Sequence, residues 1–438
     1  MAPPHSEAEP GSGDFEVRPA ATIRAPSVTD AAVDPAATVV ASRTLSDFRP
    51  LAGVRVLDLT SSLAGPYCTQ ILAAFGADVI KVEHPRRGDE ARAWGPAFAA
   101  GGSVMFFAAN AAKRSLALDV KADAGRDALL RLAERSDVFL QSLRPRTAER
   151  LGLGPDDLRR RNARLIYCSI GAFGRRGPLA DQPGYDPLMQ AAGGIMSVTG
   201  EPDGPRVRVG ASLVDLGTAV WAALAIVAAV HEGRGRVVDL SLYETTVALL
   251  PYQLTNYLAT GEVARPEGSA FPLIAPYQVF ATQDGELMVL AGNDRLFRAL
   301  CHALELPQLA DDPRFASNPL RVANRERLIP PLQRRFAHEP AAVWLDRLRD
   351  AGVPAAPVQD VADVADSEQT AALGILQQVG GVTTVALPIS VDEARVTYPS
   401  PPPRLGEHSA EVLAEVGYSE GEIAELVAAG ITTAAPVG

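Results

Sequence analysis

A parallel β-sheet covered by helices on both faces is the fold this sequence predicts from about residue 50 onward, and two observations carry it. The first is a strand–helix–strand unit. "VRVLDL" (54–59) is a β-branched run, "AGPYCTQILAAFG" (64–76) has helical spacing closed by Gly76, and "DVIKVE" (78–83) is a second strand. The second is loose recurrence: "SLALDV", a helical stretch near 122–135, "DVFLQS", a helical stretch around 146–161, then "RLIYCSI". Strands joined through helices run parallel in a sheet buried on both sides. The layout is Rossmann-like, yet "DLTSSLAGP" after the first strand holds no GxGxxG, so nicotinamide or flavin binding has no support. HExxH, GxSxG and a clustered His/Cys set are also missing, which removes zinc peptidases and α/β-hydrolases.

Further along, "RGRVVDLSLYETTVALL" leads through a Pro- and Gly-bearing segment, 259–276, to "PYQVFATQDGELMVLAGND". That reads as two strands joined by a turn at Asp284-Gly285, and helical patterns follow from Arg295 to about Arg349. The expected division is an extension over 1–47, a large Rossmann-like domain over 48–230 and a linking helix over 231–258. A smaller α+β domain over 259–350 and a final segment over 351–438 complete it.

Composition bounds the partners. The 438 residues are 47% hydrophobic and 21% charged, ordinary for a soluble globular protein. A net charge of −11 argues against nucleic acid or an anionic membrane as partner, but not against a polyphosphate ligand, which needs only a few local cations. Three cysteines without CxxC spacing favour a reducing cytoplasm, so a cytoplasmic location is expected. No stretch reaches the roughly 18 to 20 uncharged apolar residues of a membrane span, and Leu216 to Val230 reads as a short buried helix. Residues 1–47, rich in Ala, Pro, Ser and acids, read as a disordered extension without secretory signal features.

One carboxylate stands out. Asp215 lies within the apolar run "VGASLVDLGTAVWAALAIVAAV" (209–230), where burying an unpaired charge costs several kcal/mol. An Asp before an apolar helical run is also a common helix N-cap, and the two roles are compatible.

With "LAGVRVLDLTSSLAGPYCTQILAAFGADVIKVEHP", "NAAKRSLALDVK", "PGYDPLMQAAGGIMSVTGEPDGP", the run around Asp215, "GRGRVVDLSLYE", "AGVPAAPV" and "LGEHSAEVLAEVG" in this order, the chain resembles the class III CoA-transferases. These are the formyl-CoA and carnitine CoA-transferase group of CaiB/BaiF type. The resemblance covers about residue 50 to the end, and it implies transfer of CoA from an acyl-CoA to a carboxylic acid. It makes Asp215 the nucleophile, passing through a mixed anhydride and an aspartyl-CoA thioester, with the helix start expected to offset part of the desolvation. "GYDPLMQ" resembles the motif lining the same pocket, so Tyr185 and Asp186 join Asp215 as catalytic candidates; Asp186-Pro187 reads equally as a helix start. Gly193, Gly194 and Gly210 are either oxyanion-site backbone or turn residues.

For CoA, a substrate rather than a tightly bound cofactor, the resemblance implicates Leu63, Ala64, His84, Leu118, Lys121, Ser142, Leu143, Arg144 and Arg150; no metal is implied. Lys121, Arg144 and Arg150 would supply cations for the phosphates, although each alone reads as a solvated surface charge. "QSLRPR" departs from the family's acidic-Asn-aromatic-basic-Pro-Gly run, with Ser142 and Leu143 in place of the amide and the aromatic, and His84 stands where some relatives place an arginine. The family also implies a ring-shaped chain in an interlocked homodimer, the last segment returning to the large domain. Two rivals remain. An α-methylacyl-CoA racemase would carry a His where Tyr185 stands, and none of the six histidines is near; a non-catalytic CoA-ester-binding paralogue is motivated by "QSLRPR". "SAFPLIAPY" lacks the consecutive glycines of some oxalate-using relatives, which disfavours oxalate and leaves a small dicarboxylate, with succinyl-CoA as donor, as the expectation.

Overall fold

The structure, a computed structural model, describes residues 48–95, 98–99 and 102–433; the expected extension over 1–47 lies outside the described residues. Six strands, β1 (Arg55–Leu59), β2 (Asp78–Glu83), β3 (Arg114–Ala117), β4 (Val138–Gln141), β5 (Ile166–Gly171) and β6 (Val237–Ser241), form one sheet. Its order is β3-β2-β1-β4-β5-β6 and every pairing is parallel.

Strand alternation sorts the core into two faces. Val56, Val79, Val138 and Cys168 lie on one, packed against helices α1 (Ala64–Ala74) and α4 (Leu213–Glu232). Leu57, Ile80, Phe139 and Tyr167 lie on the other, with α2 (Asp123–Glu134) and, from the chain's end, Leu413, Val416 and Leu426. The end of the chain is also hydrogen-bonded to β3, through His408 N–H to the Ser115 carbonyl at 3.0 Å and Thr432 Oγ1 to the Ala117 carbonyl at 2.6 Å. Helix α3 (Asp186–Ala192) lies between β5 and α4 in the chain.

A separate core, with Phe280, Val289, Phe297, Leu300 and Trp344, holds the smaller α+β part. Strands β7 (Tyr277–Ala281) and β8 (Glu286–Leu290) pair antiparallel about the expected turn. A third strand, β9 (Ala355–Pro357), pairs with β8; Pro354 before it and Pro357 at its end mask the β pattern and are tolerated because it is an edge.

Three expectations are corrected. Residues 231–258 are not a linking helix: they supply β6, the sheet's edge strand, and then two helices, α5 (Leu242–Ala248) and α6 (Pro251–Thr260). The stretch 146–161 is two short helices, Thr147–Arg150 and Pro155–Arg161, because Gly152 takes a left-handed φ of 68° and Pro155 starts a new first turn. The apolar run is longer and less buried than expected. Helix α4 has 20 residues, enough by length and composition to cross a membrane, yet only 39% of its most apolar window is buried. Val220, Trp221 and Leu224 are more than half exposed on its outer side.

Candidate active site

In a sheet of this order the loops after β1 and β4 diverge to opposite faces, leaving a crevice at the strands' C-terminal ends. A cavity of about 930 Å³ occupies that position. Its wall comes from Ser61 to Gly65 after β1, His84 and Glu90 after β2, Ser142 to Arg146 after β4, Arg175 after β5, and Tyr185, Asp186, Ser212 and Asp215 from the starts of α3 and α4. The loop after β1 is tight: Ser62 has a left-handed φ of 71°, and a Cβ at Gly65 would fall 2.4 Å from Thr60.

Asp215 is not the N-cap of α4. Ser212 holds that position, and Asp215 sits at the third helical residue, half-buried and facing the cavity. The helix start is capped from another element. Asp186, only 2% exposed, accepts hydrogen bonds from the backbone N–H of Val214 at 2.8 Å and of Asp215 at 3.2 Å through Oδ2. Its Oδ1 accepts from Gln190 Nε2 at 2.6 Å.

This reverses the expected electrostatics. The helix-start donors that would favour the Asp215 carboxylate are spent on Asp186. Burial, and then the like charge of Asp186, push the Asp215 carboxyl up to about 7. The site therefore holds a carboxylate of near-neutral basicity, suited to attack on a carbonyl and ionised above pH 7.

The expected CoA residues separate into groups. Leu63, Ala64, His84, Ser142, Leu143 and Arg144 line the cavity. Lys121 and Arg150 line an adjoining recess of about 620 Å³, together with Arg87, Leu143 and Arg144. Four cations thus meet in one recess of an acidic chain, and Leu143, Arg144 and Arg87 line both spaces. Leu118 belongs to neither: it is 1% exposed in the core behind β3, and its backbone N–H donates to the Glu83 carbonyl.

The "QSLRPR" residues have local roles. Ser142 Oγ accepts from Ser61 N–H at 3.2 Å, joining the loops after β1 and β4 across the crevice, and Leu143 N–H donates to Gln141 Oε1. Burial, then the Arg87 cation, hold His84 below the usual histidine range, so it stands neutral where an arginine would be charged. Tyr185 is half exposed and sits in extended backbone just before α3. Gly193 and Gly194 end α3 against Thr246 and Leu250, as a turn, and neither they nor Gly210 line the cavity.

Sequence reading missed Arg87, which brings a further cation, and Gln190, which orders Asp186. The second had a visible signal, since Gln190 lies four residues after Asp186 in "DPLMQ" and so on the same face of a helix.

A Rossmann-ordered sheet, a carboxylate at a buried helix start and a cationic recess beside it define a site for acyl and polyphosphate chemistry. The chain belongs to CoA-transferase family III, whose profile it matches over residues 51–409. It is 38% identical to succinyl-CoA:glutarate CoA-transferase of Mus musculus, over 87% of this chain and 90% of that protein. It is 39% identical to acetyl-CoA:oxalate CoA-transferase of Acetobacter aceti, over 85% and 97%. A solved CaiB/BaiF family protein from Brucella suis superposes with a TM-score of 0.76 at 38% identity, covering 84% of this chain and 99% of that one. The protein is a class III CoA-transferase, an enzyme that uses CoA thioesters as substrates.

Proposed function

We propose that the protein moves CoA from a short dicarboxylyl-CoA, such as succinyl-CoA, to a small dicarboxylic acid, with Asp215 as covalent nucleophile. The observation that carries this reading is the Asp215 carboxylate, raised to about 7 and open to a cavity that continues into the four-cation recess. Asp215 attacks the donor thioester carbonyl, expels CoA thiolate and forms a mixed anhydride. The thiolate attacks the aspartyl carbonyl, releasing the donor acid and leaving an aspartyl-CoA thioester. The acceptor carboxylate attacks that carbonyl and expels the thiolate. The thiolate then takes the acceptor acyl group, which frees the new thioester and the Asp215 carboxylate. Each step splits one hard exchange into easier ones, and each intermediate demands exclusion of water.

Relatives named for glutarate, mesaconate, D-citramalate and oxalate support a dicarboxylic acceptor. The test is incubation with succinyl-CoA and a panel of these acids, with new thioesters followed by mass. Exchange with none of them, alongside α-proton exchange of a branched acyl-CoA without acceptor, would replace this reading with the racemase.

An interlocked homodimer is part of the proposal. Val220, Trp221 and Leu224 on α4 and Tyr252, Tyr257 and Leu258 on α6 are exposed apolar residues, more than a monomer's surface comfortably carries. A second copy of this chain would cover them. Light scattering is expected to give about twice the 46.1 kDa chain mass. A stable monomer at micromolar concentration would refute the assembly.

A further inference from the structure

Two buried or half-buried carboxylates, Asp186 and Asp215, share one site, and the hydrogen bonds around Asp186 fix where its carboxylate stands. Three donors hold the Asp186 carboxylate: Val214 N–H and Asp215 N–H at Oδ2, and Gln190 Nε2 at Oδ1. The Gln190 amide has no freedom to turn its oxygen toward Asp186, because that oxygen already accepts from Val209 N–H at 2.8 Å. Flipping the amide would set its NH₂ against the Val209 N–H and its carbonyl against the carboxylate. Gln190 itself is fully buried, so water cannot take either place. The Asp186 carboxylate is thus held at both oxygens by donors that are themselves fixed in place.

We propose that Gln190 is a positioning residue: anchored by the Val209 backbone, it fixes the Asp186 carboxylate on the N–H groups at the start of α4 and so keeps that like charge beside Asp215. This deepens the proposed function and rests on it only for the consequence. A fixed negative charge beside the nucleophile disfavours free Asp215 carboxylate and is relieved when Asp215 becomes a neutral anhydride or thioester. The lock thus biases the site toward acylation.

Other charges border the site. His84, Arg87 and Glu90 reach the cavity wall from the β2 side, Arg144, Arg146 and Glu149 from β4, and Arg175 and Asp181 from β5. On α4 itself the next ionisable groups are His231 and Glu232 at the far end; on α5, Glu244 is occupied by Ser241. The upward push on Asp215 has burial and Asp186 as its causes, with none of these others contributing.

The experiment is a pH titration of the full-length protein carrying ¹³C-carboxyl-labelled aspartate, read by NMR without substrate. In the unmutated protein one carboxyl is expected to titrate near neutrality, and Asp215→Asn removes that signal. In Gln190→Met, Asp186 Oδ1 loses its donor and the carboxylate is free to swing away from the start of α4. The Asp215 titration is then expected to fall by on the order of one pH unit. If Gln190→Met does not fold, Asp186→Asn reads the same coupling, with the Asp215 titration again moving down. An unmoved Asp215 titration in these variants, even with a lowered Tm, overturns the lock, as does the absence of any near-neutral carboxyl in the unmutated protein. The readout needs no turnover, so a protein that shows the lock but exchanges no CoA would sink the proposed function alone.

Discussion

Asp215→Asn is expected to lower CoA exchange by on the order of 10⁴-fold or more, the scale of losing a covalent nucleophile, while CoA binding persists. Binding should survive because the cationic recess lies along other loops, after β2, β3 and β4. Mass spectrometry after trapping with an acyl-CoA should find the label on Asp215 in the unmutated protein and nowhere in the variant. The same substitution should stabilise the fold, in a pH-dependent way. Between about 4 and 7 the folded protein keeps a proton on Asp215 that the unfolded chain releases, so stability falls as pH rises through that window. Above 7 the whole cost is present. The Asn variant, which cannot ionise, is then expected to be more stable by roughly 1–3 kcal/mol at pH 8, with little difference at pH 4. Activity of the unmutated enzyme runs the opposite way, rising as pH passes 7. Loss of exchange without the stability gain would mean that Asp215 is neither desolvated nor held near an anionic neighbour in the fold.

That trade between stability and reactivity is set by contacts no local pattern announces. The sheet was legible because its strands are buried on both faces and so read as continuous apolar runs between helices of clear period, as "VRVLDL" and "DVIKVE" do. Strand β6 was not: its burial alternates between exposed and partly buried, as an edge strand's does, and it follows directly on a long helix. The nucleophile's position was readable through family resemblance, but its electrostatics were not. A helix start normally favours a carboxylate, and only the fold shows that Asp186, 29 residues earlier, has taken the donors. Leu118 was misjudged for a related reason. It lies close in the chain to a true recess residue, but just past the end of β3 its side chain packs into the core, while Lys121, in the turn that follows, reaches the recess.

The second large effect lies beneath the cavity floor, where Lys113→Met is expected to cost about 3–5 kcal/mol of stability. Lys113 and Asp58 are wholly buried, 55 positions apart, and paired at 3.1 Å. Lys113 Nζ also donates to the Pro66 carbonyl and to Asn110 Oδ1, each at 2.8 Å. Asp58 accepts from Thr69 Oγ1 at 2.6 Å and from both the N–H and hydroxyl of Thr60. Beside them Lys81 pairs with Asp89 at 2.8 Å and donates to the Thr60 carbonyl, while Asp89 accepts from Ser62 N–H. Four buried charges therefore grip the Thr60–Ser62 turn whose next residues, Leu63 and Ala64, line the site. Burial alone would raise Asp58, but Lys113 and then Lys81 outweigh it and hold it at about 2. Its contribution is thus present above pH 4 and lost as pH falls toward 2. Removing the lysine leaves Asp58 charged and half-matched in the interior, which is why the loss should exceed that of an ordinary surface pair. Chemical denaturation of Lys113→Met, Asp58→Asn and the double variant measures it. The double variant should lose less than the sum of the two singles, because neither charge is then stranded. Additive losses would show the pair to be uncoupled. With the Thr60–Ser62 turn loosened, KM for the acyl-CoA should rise more than kcat falls, since the turn shapes the cavity wall without touching Asp215.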